Sequence, residues 1–492
     1  MGQQIEQQVF GRAERASFKE KLRRSMQAFN RMLADGCFES GTGQVGLEME
    51  FNLVGQDLRP AMRNLDVLRS IDDVDFQTEL GKYTLEVNIP PHSPARQGIT
   101  ALERDIRHYV DKGRHASDQQ GLSLVTIGIL PTLGPEHIGI GALSPSPRYQ
   151  LLNEQIIQYR GEDIRLDIEG IDRLATTSDS VAPESACTAT QIHLHAGPEE
   201  FPALWNAAQA LAGPQVAMCA NSPFFFGREL WRETRIPLFE QSIDNRAGEL
   251  IAQGVRPRVW FGDHWIESVQ ELFEENLRYF VPLLPVVAED DPLRSLEADT
   301  TPSLPEMRLH NGTIYRWNRP VYDVVTGRPH LRLENRVPSS GPTIIDTLAN
   351  VAFWLGAVRW LSDQPTPIRT HLSYAAATEN FLAGARLGLD ATMYWPGTGV
   401  VGVRELLLRR LIPGAAEGLR ALHVEPAIAD RLLQVTQARV ASGINGAAWQ
   451  AAVFHRRYER AGADRWDALR EMTRRYLDRM NSDEPVHTWP FD

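Results

Sequence analysis

Four separated stretches of the chain alternate apolar with polar or charged residues at a period of two, the pattern of a strand that turns one face to a core. In GLEMEF (46–51), Leu47, Met49 and Phe51 take one side and Glu48 and Glu50 the other. In FQTELGKYTLEVNIPP (76–91), Glu86 shares a face with Thr84 and Asn88, opposite Leu85, Val87 and Ile89, while Glu79 precedes a turn at Gly81. TATQIHLH (188–195) sets Gln191, His193 and His195 against Ile192 and Leu194. LRLENRVP (331–338) sets Arg332, Glu334 and Arg336 against Leu331, Leu333 and Val337.

A helical period appears elsewhere. Phe18, Leu22, Met26, Phe29 and Leu33 line one side of residues 17–34, behind Ser17 as a candidate cap. Residues 101–120, 201–220 and 343–362 also read as helices, and LSLVTIGIL (122–130) as a buried strand closed by Pro131. Strand candidates extend over 190–197, 312–322 and 328–338. The acidic, proline-rich stretch 288–307 has no period and is expected to be a loop, of the kind that forms lids. From about residue 403 the chain turns rich in Ala, Arg, Leu and Glu, with helices expected over 418–440 and 464–480. The expected organisation is a catalytic domain over 1–400 and a helical extension over 401–492 packed upon it.

Composition narrows the functional classes. The 492 residues, 42% of them hydrophobic, can bury a large core. A net charge of -12 argues against a nucleic-acid surface. No run of about eighteen apolar residues appears, and MGQQIEQQVF lacks the apolar centre of a secretion signal and the sixth-position Ser or Thr of a myristoylation signal, so a cytoplasmic protein without membrane attachment is expected. Cys37, Cys187 and Cys219 suggest neither a disulfide framework nor a cysteine zinc site; they read as reduced thiols, at least two of them buried.

Two carboxylates on one side of a strand repel each other, so the polar faces invite a cation. Several glutamates with few histidines suit a hard ion such as magnesium, while His193-x-His195 is a weak zinc pattern. Arg332 and Arg336 either neutralise Glu334 or clamp phosphate or carboxylate. Arg228, Arg232 and Arg235 fall at helical spacing, and Arg316 and Arg319 follow later; with the acidic faces they suggest an anionic substrate beside a nucleoside triphosphate.

Together these stretches resemble the carboxylate–amine ligase branch of the glutamate–cysteine ligase family, whose fold is shared with glutamine synthetase. The resemblance rests on GLEMEF, TELGKYTLEVNIPP, QIHLHAG, NSPFFFGRELWRETR, RWNRPVYD and LRLENRVP, in family order, and continues at ENFLAGARLGLDA, spanning roughly 44–391. It implies an α+β fold, an antiparallel sheet curved into a funnel with flanking helices, and ATP with two or three Mg2+ ions on its inner surface. It further implies phosphorylation of a carboxylate, usually that of glutamate, and displacement of the phosphate by an amine such as cysteine. Carried over by position, Glu48, Glu50, Glu79, Glu86, His193 and Glu334 are metal ligands. Arg336, with Arg332, faces nucleotide phosphate; Arg235 and Arg319, with Arg232 and Arg316, hold substrate. Asn335 departs from the family's apolar residue, and Trp231 with Arg232 from its small residues. A homo-oligomer is compatible with this reading. The rivals are a guanidino-kinase-type phosphotransferase on the same fold and a metal-dependent hydrolase built on His193, His195 and glutamates.

Overall fold

The computed structural model describes residues 10–41, 43–460 and 462–491; the first nine residues, read above for a leader, lie outside it. Its centre, among the described residues, is a seven-stranded antiparallel sheet: β1 (Val45–Val54), β2 (Phe76–Thr78), β3 (Thr84–His92), β4 (Ser123–Val125), β5 (Thr190–His195), β6 (Asn318–Val325) and β7 (Arg328–Asn335). The order across it is β6-β7-β5-β1-β3-β2, with β4 paired to the far end of β1. Flanked on both sides, β1 is buried along nearly its whole length. A register shift between Val45 and Leu47 brings the Ile89 carbonyl so close to Gly46 that a Cβ there would stand 3.3 Å from it, which explains the glycine that opens the motif.

The apolar faces of the four alternating stretches are buried as their period predicts, each Leu, Ile, Val, Met or Phe side chain contributing roughly 1.5–3 kcal/mol. Behind β6 and β7 lies helix α1 (Phe201–Cys219), almost wholly buried, whose Trp205 indole donates to the Asn318 carbonyl at 3.0 Å. A polar layer sits between them. Gln215 donates to Asn335 at 2.7 Å, Asn335 to Asn318 at 2.7 Å and Asn318 to Gln209 at 2.7 Å, so Asn335, the departure noted above, is satisfied by side chains that match it. Helix α2 (Ile344–Ser362) is, among the described residues, the one long and apolar enough to cross a membrane; 83% of that stretch is buried within the protein, as in a core helix.

Several sequence expectations shift. The first helix runs over Arg12–Ala34, with Gly11 at its N-cap, so Ser17 lies inside it and caps nothing. The expected strand at 122–130 shortens to Ser123–Val125, because beyond it the backbone is bonded by side chains: Asn52 reaches the Ile127 carbonyl at 3.3 Å and Thr188 the Gly128 carbonyl at 3.2 Å. The 288–307 loop contains a helix, Pro292–Glu297, capped by Asp291, and the start of another, Pro305–Asn311. Arg228, Arg232 and Arg235 do not share a helical face. Phe224–Phe225 and Arg228–Glu229 form a hairpin whose turn residues, Phe226 and Gly227, have φ of +49° and +69°, and the helix begins only at Arg235. Of the cysteines only Cys219 is buried; Cys187 is half-buried and Cys37 exposed. The C-terminal helices Ile412–Ala421, Pro426–Ser442, Gly446–His455 and Arg465–Ser482 join the one large apolar core, which runs from Phe10 to Trp489.

Candidate active site

Antiparallel pairing sets the polar side chains in rows that cross the strands. Glu50 stands directly opposite Glu86, and Glu86 opposite Gln77. One step along, Glu48 faces Asn88 on one side and Gln191 on the other. At the next step, Gly46 is opposite His193, His193 opposite Glu334, and Glu334 opposite Arg319. Like charges placed opposite one another on a sheet repel, so the first row in particular calls for compensation.

The six donors gather as two groups of three, Glu50 with Glu79 and Glu86, and Glu48 with His193 and Glu334; within each, one ligand atom per residue lies within 4.8 Å of the others. Their electrostatics differ. Glu334 is fully buried, yet Arg319 grips it at 2.6 and 2.9 Å and Arg336 at 2.7 Å. Burial alone would raise its pKa; the two guanidinium groups outweigh that and hold the carboxyl well below the usual range. Glu48 is similarly held down: burial pushes it up and the adjacent His193 more than offsets this. His193 Nε2 lies 3.1 Å from Glu48 Oε1 without hydrogen-bond alignment, and neither ring nitrogen has a hydrogen-bond partner among the described residues.

The other group lacks cations. Glu50 accepts from the Ala189 N–H at 2.7 Å and from Gln191 at 2.8 Å, Glu79 accepts from the Leu80 N–H at 2.7 Å, and Glu86 accepts from Gln77. No Lys or Arg forms an ion pair with any of the three among the described residues. Burial, then the neighbouring carboxylates, push Glu50 up to about 7, Glu79 to about 8 and Glu86 well above its ordinary value. Three hard oxygen donors with a deficit of positive charge fit a divalent ion such as magnesium, and the Glu48, His193 and Glu334 set, with its orphaned imidazole, can take a second.

The model of glutamate–cysteine ligase family 2 matches residues 44–480. The chain belongs to glutamate–cysteine ligase family 2. A glutamate–cysteine ligase from Francisella tularensis, solved in complex with AMP, is similar in fold, with a TM-score of 0.56 and 11% identity over 91% of this chain and 90% of its own. A bifunctional glutathione synthetase from Pasteurella multocida gives a TM-score of 0.46 and 13% identity over 89% of this chain and 52% of its own. No match was found among curated protein sequences. The sheet is thus the curled antiparallel half-barrel of such ligases, and the protein is an ATP-dependent carboxylate–amine ligase.

In this ligase the arginines expected at the site divide. Arg319 and Arg336 stand on the polar face, tied to Glu334. Arg332 shares that face and leans toward Asp323 at 3.4 Å. The other three are spent elsewhere. Arg235 is buried, its guanidinium donating to Glu233 at 3.1 Å and to the carbonyls of Arg336 at 3.3 Å and Val337 at 2.5 Å. Arg316 is buried against Glu275 at 2.6 Å and Asn276 at 2.5 Å, and Arg232 pairs with Glu229 at 3.2 Å. Arg235 and Arg316 are buried and bonded within the protein, whereas Arg232 is half-buried. The two histidines of QIHLH also part: two residues on a strand are roughly 6.6 Å apart, so His193 joins Glu48 and Glu334 while His195 joins Glu39 and His330.

The sequence reading missed three residues of the site. Gln191 bridges the groups, donating to Glu50 at 2.8 Å and accepting from Arg336; its place on the polar face of β5 was visible, its partners were not. Glu184, on the short turn Ala182–Ala186, is pushed up to about 8 by burial and then by Glu50. Tyr149, on helix Pro147–Arg160, donates to the Thr78 carbonyl at 3.1 Å, and burial with Glu79 and Glu86 keeps its phenol protonated. Neither segment carries the period-two signal that marked the strands.

Proposed function

We propose that this ligase joins the side-chain carboxylate of glutamate to the amine of cysteine, giving γ-glutamylcysteine at the expense of ATP, in the cytoplasm, with residues 1–400 as the catalytic domain and 401–492 as its helical extension. The observation that carries the reading is the convergence of two donor groups, one of them short of positive charge, beside Arg319 and Arg336 on one face of the sheet. Glu50, Glu79 and Glu86 would hold one divalent ion and Glu48, His193 and Glu334 another, within the two or three expected of the family. Bound there, magnesium would neutralise charge on the transferring phosphoryl group. The chain's own residues do the positioning. Glu334 and Gln191 both accept from Nη1 of Arg336, which leaves its remaining N–H donors for phosphate oxygens, and Arg319 is braced by Glu334 to meet an anionic substrate. No side-chain nucleophile is needed: the substrate carboxylate attacks the γ-phosphorus, and the amine then displaces phosphate from the acyl phosphate.

An ADP-release screen of amino acids and amines with ATP and Mg2+, read alongside product masses, tests this. Amide formation with glutamate and cysteine is expected. ADP with a stable phosphorylated product and no amide would instead establish phosphotransfer, and turnover without ATP in the presence of Zn2+ would establish hydrolysis.

A further inference from the structure

The polar face continues past the two donor groups. Two residues beyond His193 on β5, His195 stands opposite Arg332, and two residues before Arg332 on β7 lies His330. The imidazoles stack, with centroids 4.2 Å apart and planes 10° from parallel. Glu39, from the segment that leads from the first helix into β1, completes a cluster whose ligand atoms lie within 4.8 Å of one another. Two nitrogens and a carboxylate oxygen are a donor set that suits a borderline transition ion and suits magnesium poorly. The second observation concerns His330. Its Nε2 is buried and has no hydrogen-bond partner among the described residues.

We propose that Glu39, His195 and His330 form a separate cation site at the outer end of the polar face, selective for Zn2+-like ions over Mg2+, which clips the segment before β1 onto β5 and β7. Neither assigned donor group supplies a ligand to it. A shared ion would require one of the stacked rings to turn about χ2. Glu39 is free to turn as well, because its ion pair with Arg328, at 3.1 Å, joins side chains that are 33% and 71% exposed and so is weak. Arg332, which stands opposite His195 on the sheet, is drawn toward Asp323 at 3.4 Å.

The test uses the full-length metal-free protein dialysed against Co2+ with Mg2+ in large excess, so that magnesium occupies the carboxylate-rich groups. Bound Co2+ is then counted and its visible spectrum recorded. The wild type should retain one Co2+ per chain with the intense absorption of a low-coordinate nitrogen-containing site. Glu39→Gln, a half-exposed position whose change leaves the fold intact, and His330→Ala should each lose that ion, whereas Glu86→Gln should keep it. Retention of no Co2+ by the wild type, or undiminished retention by both Glu39→Gln and His330→Ala, overturns the proposal. ADP release by Glu39→Gln should match the wild type, which separates failure of this site from failure of the ligase reading.

Discussion

Replacing Glu50 by Gln should stabilise the metal-free protein at alkaline pH while weakening its response to magnesium. The folded-state value of Glu50 is about 7, against 4.5 for the free side chain. At about 1.4 kcal/mol per pH unit, that gap is on the order of 3 kcal/mol against the folded state once both states are ionised. The sign follows from the direction. Below 4.5 both states are protonated and there is no penalty; between 4.5 and about 7 the folded state keeps a proton the unfolded state has shed, so stability falls as pH rises; above 7 the full penalty applies. Glu79, at about 8, extends the fall upward. The Gln side chain removes the charge, yet Glu50 accepts from two donors, Ala189 N–H and Gln191, and one of them would meet an amide NH2 instead. That mismatch costs about 1 kcal/mol, leaving a net gain of about 2 kcal/mol. The assay is the urea midpoint of EDTA-treated wild type and variant at about pH 5 and about pH 9, with and without Mg2+. The variant should match or trail the wild type at low pH and exceed it at high pH, and Mg2+ should raise the wild type more than the variant, which keeps the Glu48, His193 and Glu334 group. A variant no more stable at high pH, or equal stabilisation of both proteins by Mg2+, would refute the reasoning.

The same geometry sets other expectations. Arg319→Met leaves the fully buried Glu334 with Arg336 alone; stability should fall by about 3 kcal/mol in urea titrations at neutral pH, and by less as pH drops below the ordinary carboxylate value and Glu334 becomes protonated. Arg235→Ala should lower the thermal midpoint and kcat together, through loss of the bonds that hold the Arg336 and Val337 carbonyls; a selective rise in the KM for the carboxylate substrate would return Arg235 to the substrate site. Gln191→Leu should cut kcat by about tenfold to a hundredfold with ATP binding largely kept, because it unties Arg336 from Glu50; unchanged kcat would show the bridge to be incidental.

The alternation in GLEMEF, TLEVNIP, QIHLH and LRLEN determined which residues share the polar face, because side-chain direction on a strand is a local matter of backbone geometry. Glu48, Glu50, Glu86, His193 and Glu334 were therefore legible without coordinates. Tertiary structure alone decided how they are shared out. Strand register, set by pairings between segments as distant as β5 and β7, puts Glu50 opposite Glu86 and His193 opposite Glu334, and so makes one group starved of cations and the other braced by arginine. The arginines were the least legible for the same reason. Helical spacing suggested a common face for Arg228, Arg232 and Arg235, but Arg228 lies in a hairpin strand and the helix begins only at Arg235, and what a guanidinium does depends on the carbonyls and carboxylates that folding brings to it. Face is written in neighbouring residues; partnership is written in contacts between residues far apart along the chain, which only the packed molecule creates.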